Sequence, residues 1–350
     1  MTTIPRFDVL GIGNAIVDVI ASGTDEGIAA LGLEKGTMKL VDAAQSAAIY
    51  SAMGSAVESS GGSVCNSLAA LCSLGGSASL IARTGPDDLG AFFAHDMRAV
   101  GVDFPVRGSD GDVQSGAPVT AGMTAGTGRC LIQVTPDGER TMATYLGASI
   151  ELDARDVERS KSLFASANLV FFDGYLLDSQ CTRGAVAQAL HLAHLAGTPV
   201  ATSLGDRHCV ARNRAGFQSL IIEGGVRLLF ANEREITALT GIDDIEQSAI
   251  EASQFGATVV VTLGPEGCLI RHAGRTYRVP CAPVDTLVDT TGAGDSFAAG
   301  FTYGWTRAWP IENCAELGAL AASRIISQVG ARPLRSLSDL PGKVSLPGAA

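Results

Sequence analysis

Residues 168–264 hold four short apolar runs, NLVFFDG (168–174), PVATSLG (199–205), RLLFANE (227–233) and ATVVVTLG (257–264). Each is short, rich in branched or aromatic residues, and runs out into Gly, Asp or Asn. Runs without an alternating polar face read as strands buried on both sides, the habit of a parallel sheet covered by helices. Between the first two, RGAVAQALHLAHLA (183–196) repeats its apolar residues at helical spacing. The same alternation continues outward. FDVLGIG (7–13) and ASLIART (78–84) read as strands, and VCNSLAALCSL, LGAFFAHDMRAV and AELGALAASRIISQ as helices packed on them. The expected class is α/β with a mostly parallel sheet.

Two stretches break the pattern. GRCLIQVTPDGERTMATYL (128–146) predicts a β-hairpin around Pro136 and Gly138, and GCLIRHAGRTYRVP (267–280) a second one turning near Gly274. Residues 104–126 are rich in Gly, Ser and Pro and read as a loop leading into the first hairpin. A loop and hairpin inserted in an α/β domain suggest a cover over a site. The segment after Pro333 has little periodicity and is expected on the surface.

Composition limits the function. The 350 residues are 46% hydrophobic and 17% charged, enough apolar surface to offset the entropy of folding. The net charge of −11 has the wrong sign for a chain that neutralises phosphate backbones, so no nucleic-acid partner is expected. No apolar run approaches the roughly 18 residues that span a bilayer, so no membrane partner is expected either. Asp8, Asn14 and Asp18 interrupt the first apolar stretch, which argues against a secretory leader. The eight cysteines form no CxxC pair and mostly have apolar neighbours, which favours reduced thiols and a cytoplasmic location. An acidic protein that binds an anion needs a local device.

DTTGAGDSFAAGF (289–301) supplies one: Gly292 and Gly294 precede a helix expected to start near Asp295. Glycines let backbone amides approach a phosphate, and the helix start adds unpaired N–H groups and a dipole. A carboxylate there suits proton removal from an attacking hydroxyl, although Asp295 could equally cap the helix. In GIGNAIVD, with Gly11 as the first position, the sixth is Ile16 rather than Gly or Ala, so a dinucleotide fingerprint is not formed. Asn14 and Asp18 are polar within an apolar stretch; Asp18 could accept from vicinal hydroxyls, or both could serve a turn. Gly61 and Gly62 precede a second helix start, with Asn66 in its first turns. Gly264 and Gly267 leave a strand in VTLGPEGCLI, as a nucleotide contact or an ordinary hairpin entry. Asn232 and Glu235 share a helix face, able to hold metal-bound water or to cap the helix. His191 and His194 lack a third ligand, and no GxxxxGK[ST] or GxSxG occurs.

In this order, GGSVCN, the GER hairpin, ANEREI, VVTLGPEGC and DTTGAGDSF resemble the ribokinase-like family of sugar and nucleoside kinases, the phosphofructokinase B type. The resemblance implies a doubly wound kinase domain over residues 1–335, a small β-sheet lid from segments of about 15–50 and 104–147, and a surface tail at 336–350. It implies Asp295 as catalytic base and Gly292, Ala293 and Gly294 as the anion hole. Asn232 and Glu235 match the NxxE element that acts on magnesium and phosphate, and Thr262, Gly264 and Gly267 fall where the family binds ATP. Asn14, Asp18, Gly61, Gly62 and Asn66 fall where it holds a ribosyl or sugar group.

GNAIVD, Tyr175 in FFDGYLLD and TPDGERTMATYLGAS look most like the adenosine kinase branch. Tyr175 would stack on a purine, and Arg140 would reach over the transferred phosphate on lid closure. The implied reaction is transfer from Mg²⁺·ATP to the 5′-hydroxyl of adenosine, giving AMP, as in purine salvage. The alternatives are a sugar kinase acting on ribose, fructose or 2-keto-3-deoxygluconate, and a non-catalytic nucleoside- or sugar-binding regulator. Some members of the family hold K⁺ near the loop equivalent to Asp289, and a monomer or a homodimer through the lid are both open. Val64, Cys65 and SLGDRHCV depart from the animal adenosine kinase pattern around the acceptor.

Overall fold

The computed structural model describes residues 6–346 except 106–124, 223–224 and 255. The strands are β1 (Phe7–Ile12), β2 (Ile16–Ser22), β3 (Met38–Leu40), β4 (Ala56–Gly61), β5 (Ala78–Ile81), β6 (Val102–Asp103), β7 (Gly128–Val134), β8 (Arg140–Tyr145), β9 (Ala167–Asp173), β10 (Val200–Ser203), β11 (Val226–Asn232), β12 (Thr258–Thr262), β13 (Cys268–His272) and β14 (Arg275–Val279). The helices that concern the site are α1 (Asp25–Ala30), α2 (Ala43–Ala52), α3 (Ser63–Ser73), α4 (Asp88–Ala99), α5 (Ala154–Arg159), α6 (Lys161–Phe164), α7 (Gln180–Ala196), α8 (Arg207–Ile222), α9 (Glu233–Thr240), α10 (Ile245–Ser253), α11 (Ala293–Trp305) and α12 (Ile311–Ile325).

The described residues form a nine-stranded sheet, ordered β14-β13-β12-β11-β10-β9-β1-β5-β6, and a five-stranded one, ordered β3-β8-β7-β2-β4. In the large sheet the strands from β12 to β6 pair in parallel, and β13 and β14 add an antiparallel edge. The apolar runs of 168–264 are its centre: Leu169, Phe171, Leu228, Phe230 and Val260 face one hydrophobic layer, Val170, Phe172, Leu229 and Val259 the other. Helices cover both faces, as expected. The strand order reverses between β1 and β9, and in such sheets ligands bind outside the C-terminal strand ends at that switch. Both expected hairpins form, β7–β8 and β13–β14. No helix among the described residues is long and apolar enough to cross a membrane.

The small sheet takes β2, β3, β7 and β8 from the segments expected to build a lid, and β4, beyond residue 50, as well. Neither β3 nor β4 stood out in the sequence, because Met38–Leu40 is exposed throughout and AVESSG is polar. Most of the expected 104–126 loop lies outside the described residues. The expectation of a surface tail needs correction over its described part. Leu337, Leu340 and Val344 are buried in the layer that also holds Leu68 and Phe297, so the tail docks through three isolated aliphatic anchors that belong to no α-helix. Residues 347–350 lie outside the described residues.

Candidate active site

Two helix N-termini meet beyond the switch point. Gly292, at φ 77°, is the N-cap of α11, so the helix starts two residues before the expected Asp295. A Cβ on Gly292 would lie 2.6 Å from the Ala331 methyl, which together with the positive φ requires glycine there. The first intrahelical bond runs from Ser296 N–H to Gly292 O at 2.9 Å, so the amides of Gly294 and Asp295 precede the ladder. A Cβ on Gly294 would meet nothing within 4 Å. The backbone at Gly294 is therefore open to close approach, as an anion hole needs.

Gly62, at φ 98°, starts α3 the same way, and a Cβ there would lie 2.2 Å from Asn14 O. The first turns of α3 then deliver two donors to one acceptor: Ser63 Oγ donates to Asp295 Oδ1 at 2.7 Å and Asn66 Nδ2 to Asp295 Oδ2 at 2.9 Å. Burial pushes the Asp295 carboxyl above its ordinary range, against the pull of Ser63, Asn66 and the Arg332 guanidinium. Such a group is a better base than an exposed aspartate, and both its oxygens are oriented.

Asp18 projects from β2 against Gly61, where a Cβ would lie 2.5 Å from Asp18 Oδ2. Burial raises its carboxyl to about 6, with Arg332 and Arg140 opposing and Asp295 adding to the rise. Asn14 Oδ1 and Asn66 Oδ1 are buried without a hydrogen-bond partner among the described residues. Buried polar atoms are rarely left so; Asn14 lies against Gly62, and Asn66 holds Asp295 through its Nδ2. The acceptor residues read from the sequence are thus brought together.

A cleft continues from Asp295 and Gly294 past Ser203 to Asn232, Glu235 and Thr262. Asn232 and Glu235 form a reciprocal cap at the start of α9. Asn232 Oδ1 accepts from Glu235 N–H at 2.9 Å, while Asn232 N–H and Nδ2 donate to the Glu235 carboxylate at 3.0 and 2.6 Å. The capping alternative is therefore realised, and the pair still faces the cleft. Burial and the nearby carboxylates of Asp206 and Asp295 push Glu235 up to about 7, with the Asn232 N–H opposing. Gly264 (φ 56°) and Gly267 (φ 93°) shape the turn after β12; a Cβ on Gly267 would lie 2.1 Å from Val279 O, so its glycine serves the hairpin entry.

Arg140, on β8, pairs with Asp289, whose carboxylate also accepts from Thr291 N–H at 3.0 Å and Gly330 N–H at 2.7 Å. The small sheet is thereby tied to the phosphate loop. The Tyr175 ring lies 3.2 Å from where a Gly205 Cβ would be, with the carboxylates of Asp206, Asp173 and Glu235 around its hydroxyl.

Three residues of the site escaped the sequence reading. Ser63 is the first helical residue after a glycine pair, a position that could have flagged it. Asp173 ends β9 at the switch point, buried, with Oδ1 lacking a partner among the described residues; burial and Asp295 raise it to about 7. A carboxylate closing an apolar strand was its signal. Arg332 lies beyond α12, and nothing local marks it.

The pfkB family carbohydrate kinase model matches residues 37–337. A solved structure of adenosine kinase from Sinorhizobium meliloti is 39% identical, with a TM-score of 0.86 over 97% of this chain and 100% of that one. A probable sugar kinase from Rhizobium etli is 38% identical with the same TM-score over 97% of this chain and 99% of that one. An uncharacterized sugar kinase from Archaeoglobus fulgidus is 30% identical over 75% of this chain and 96% of its own length.

Proposed function

Because the chain belongs to the pfkB family of carbohydrate kinases, phosphotransferases with an alcohol acceptor, we propose that its acceptor is a nucleoside, adenosine first, phosphorylated by ATP at the 5′-hydroxyl. One observation carries the choice of acceptor. Asp18 shares a face of the small sheet with Ile16 and Ile20, since alternate strand residues point the same way. The register sets Cys130 and Ile132 beside Asp18 and Ile20, and Met142 and Arg140 opposite Ile132 and Val134. These aliphatic and sulfur side chains pack together, with Ile20 and Met142 half-buried. A carboxylate for ring hydroxyls beside an apolar platform suits a ribose carrying a flat base. A free sugar presents hydroxyls all round and would leave that platform unmatched. The likeness to the S. meliloti adenosine kinase supports the same reading.

In this reading residues 1–335 are the kinase domain and the small sheet is its lid. Asp18 and Asn14 hold the ribose, and Asp295 takes the 5′-hydroxyl proton as the oxygen bonds to the γ-phosphorus. The bond to the bridging oxygen breaks and ADP leaves with its electron pair. The Gly294 and Asp295 amides stabilise charge on the transferred phosphoryl group. The cleft's polar wall fits a magnesium-bound triphosphate: Glu235 is a hard oxygen donor raised first by burial and then by the neighbouring carboxylates of Asp206 and Asp295, whose repulsion a cation would relieve. With both Glu235 oxygens engaged by Asn232, the pair would hold the ion through water. Magnesium there would neutralise phosphate charge.

The test is ADP release with Mg·ATP against adenosine, inosine, guanosine, ribose, fructose and 2-keto-3-deoxygluconate, with and without K⁺. Turnover highest on adenosine is expected. Turnover on a free sugar alone would keep the chemistry of Asp295 and overturn the nucleoside assignment. No turnover, with ligand-dependent thermal stabilisation, would make the chain a binding regulator.

A further inference from the structure

Arg332 is half-buried, yet it bonds none of the residues assigned above to phosphate or ring hydroxyls. Its guanidinium spends its donors on main chain and sulfur: Nε on Ser60 O at 2.7 Å, Nη1 on Cys65 O at 2.9 Å and Nη2 on Met97 Sδ at 3.1 Å. The two carbonyls bracket Gly61 and Gly62, the turn that sets Asp18 on one side and carries Ser63 and Asn66 to Asp295 on the other. The residues just before Arg332 are fastened to the phosphate loop. Gly330 N–H donates to Asp289 Oδ2 at 2.7 Å, and Ala331 lies against Gly292. Three consecutive residues thus hold the phosphate loop at one end and the acceptor turn at the other. Asp96 of α4 completes the clamp by accepting from Ser60 N–H at 3.1 Å and from the Ser60 hydroxyl.

We propose that Arg332 is a positioning residue for phosphoryl transfer, whose planar fork fixes the Ser60–Cys65 turn against the phosphate loop so that the acceptor hydroxyl is presented to Asp295. Burying a guanidinium is costly and is tolerated where it is fully hydrogen-bonded. Around it stand the carboxylates of Asp18, Asp96 and Asp295 and the Cys65 thiol. A lysine would keep the charge among these groups, but its single ammonium cannot hold two carbonyls in one plane. Geometry and charge are therefore separable. The inference rests on the placement of the acceptor at Gly61–Gly62 given above, though not on its being a nucleoside.

The test uses Arg332→Lys and Arg332→Gln in the full chain, with whichever alcohol the wild-type protein phosphorylates fastest. Both variants are expected to raise the acceptor KM about tenfold or more while the ATP KM stays within about twofold, the split left by a misplaced acceptor turn. Amide exchange should quicken at residues 61–66 while the strands β10 to β12 keep their protection. If Arg332→Gln does not fold, Arg332→Lys carries the test. A folded Arg332→Lys enzyme with wild-type acceptor KM and unchanged exchange at 61–66 would overturn the proposal. A wild-type preference for a free sugar would instead sink only the nucleoside reading, because the split is measured with that sugar.

Discussion

At the residue scale the site gathers carboxylates away from water, Asp173 and Glu235 buried and Asp18 and Asp295 half-buried. In the proposed reaction Asp295 acts as a base only when ionised, and burial raises its carboxyl, so the acid limb of kcat should lie above the ordinary aspartate value of 3.8. Asp295→Asn keeps the shape and removes the base; kcat should fall by on the order of 10² or more, with a smaller change in KM. Near-normal turnover in that variant would take Asp295 out of the role. Asp173 makes the matching prediction for stability. An unfolded aspartate loses its proton near 3.8 and the folded one near 7, so between these values the folded chain holds the extra proton. Its contribution is full below pH 4 and is lost as pH rises through about 7. In Asp173→Asn, the decline in unfolding free energy from pH 5 to pH 8 should shrink by on the order of 2 kcal/mol. Urea titrations at both pH values measure it, and an unchanged slope would mean that Asp173 does not carry the proton.

At the scale of elements, the proposed catalysis depends on the facing starts of α3 and α11. The two glycines of the α11 loop do different work. Gly292→Ala strains a positive φ and drives a methyl into Ala331, so it should lower stability by about 1–3 kcal/mol. Gly294→Ala adds its methyl to open space, so it should leave the melting temperature nearly unchanged and raise the KM for ATP. Equal losses of stability in the two would contradict this division. Arg140→Ala, which unties β8 from Asp289, should mainly reduce kcat. These starts were legible because Gly-Gly and Gly-x-Gly before an apolar helical period leave a local trace, as did the Pro-Asp-Gly turn between β7 and β8. Asp295 and its Ser63 partner are 232 residues apart, and no local pattern encodes such a contact. Tyr175 shows the converse. Its aromatic ring suggested a base-stacking role, and the Gly205–Asp206 turn that lies against it is placed there only by the fold.

At the scale of the whole molecule, one hydrophobic layer links the small sheet, the α3–α11 pair and the end of the chain. Val17 and Leu131 of the small sheet, Leu68 and Phe297 of the two site helices, and Leu337, Leu340 and Val344 all belong to it. The class of fold was readable from 168–264 because strands buried on both faces leave unbroken apolar runs. The tail was not, because its anchors stand singly among Ser, Pro and Gly, and their burial is decided by α3 and α12. Leu337 N–H donates to Ser73 Oγ at 2.9 Å, and Asn313 Nδ2 to Ser345 O at 3.2 Å, pinning the segment at both ends. Fully burying an aliphatic side chain contributes roughly 1.5–3 kcal/mol, so the three anchors together approach the whole stability of a domain, about 5–15 kcal/mol. A chain ending at Leu334 keeps Arg332 and every residue assigned to catalysis. It should nevertheless melt well below the full-length protein or fail to remain folded, and Leu337→Ala alone should cost about 2–5 kcal/mol. Thermal unfolding of the two variants beside the full chain measures this. A truncated protein with an unchanged melting temperature would mean that the tail merely lies on the surface, and that the layer closes without it.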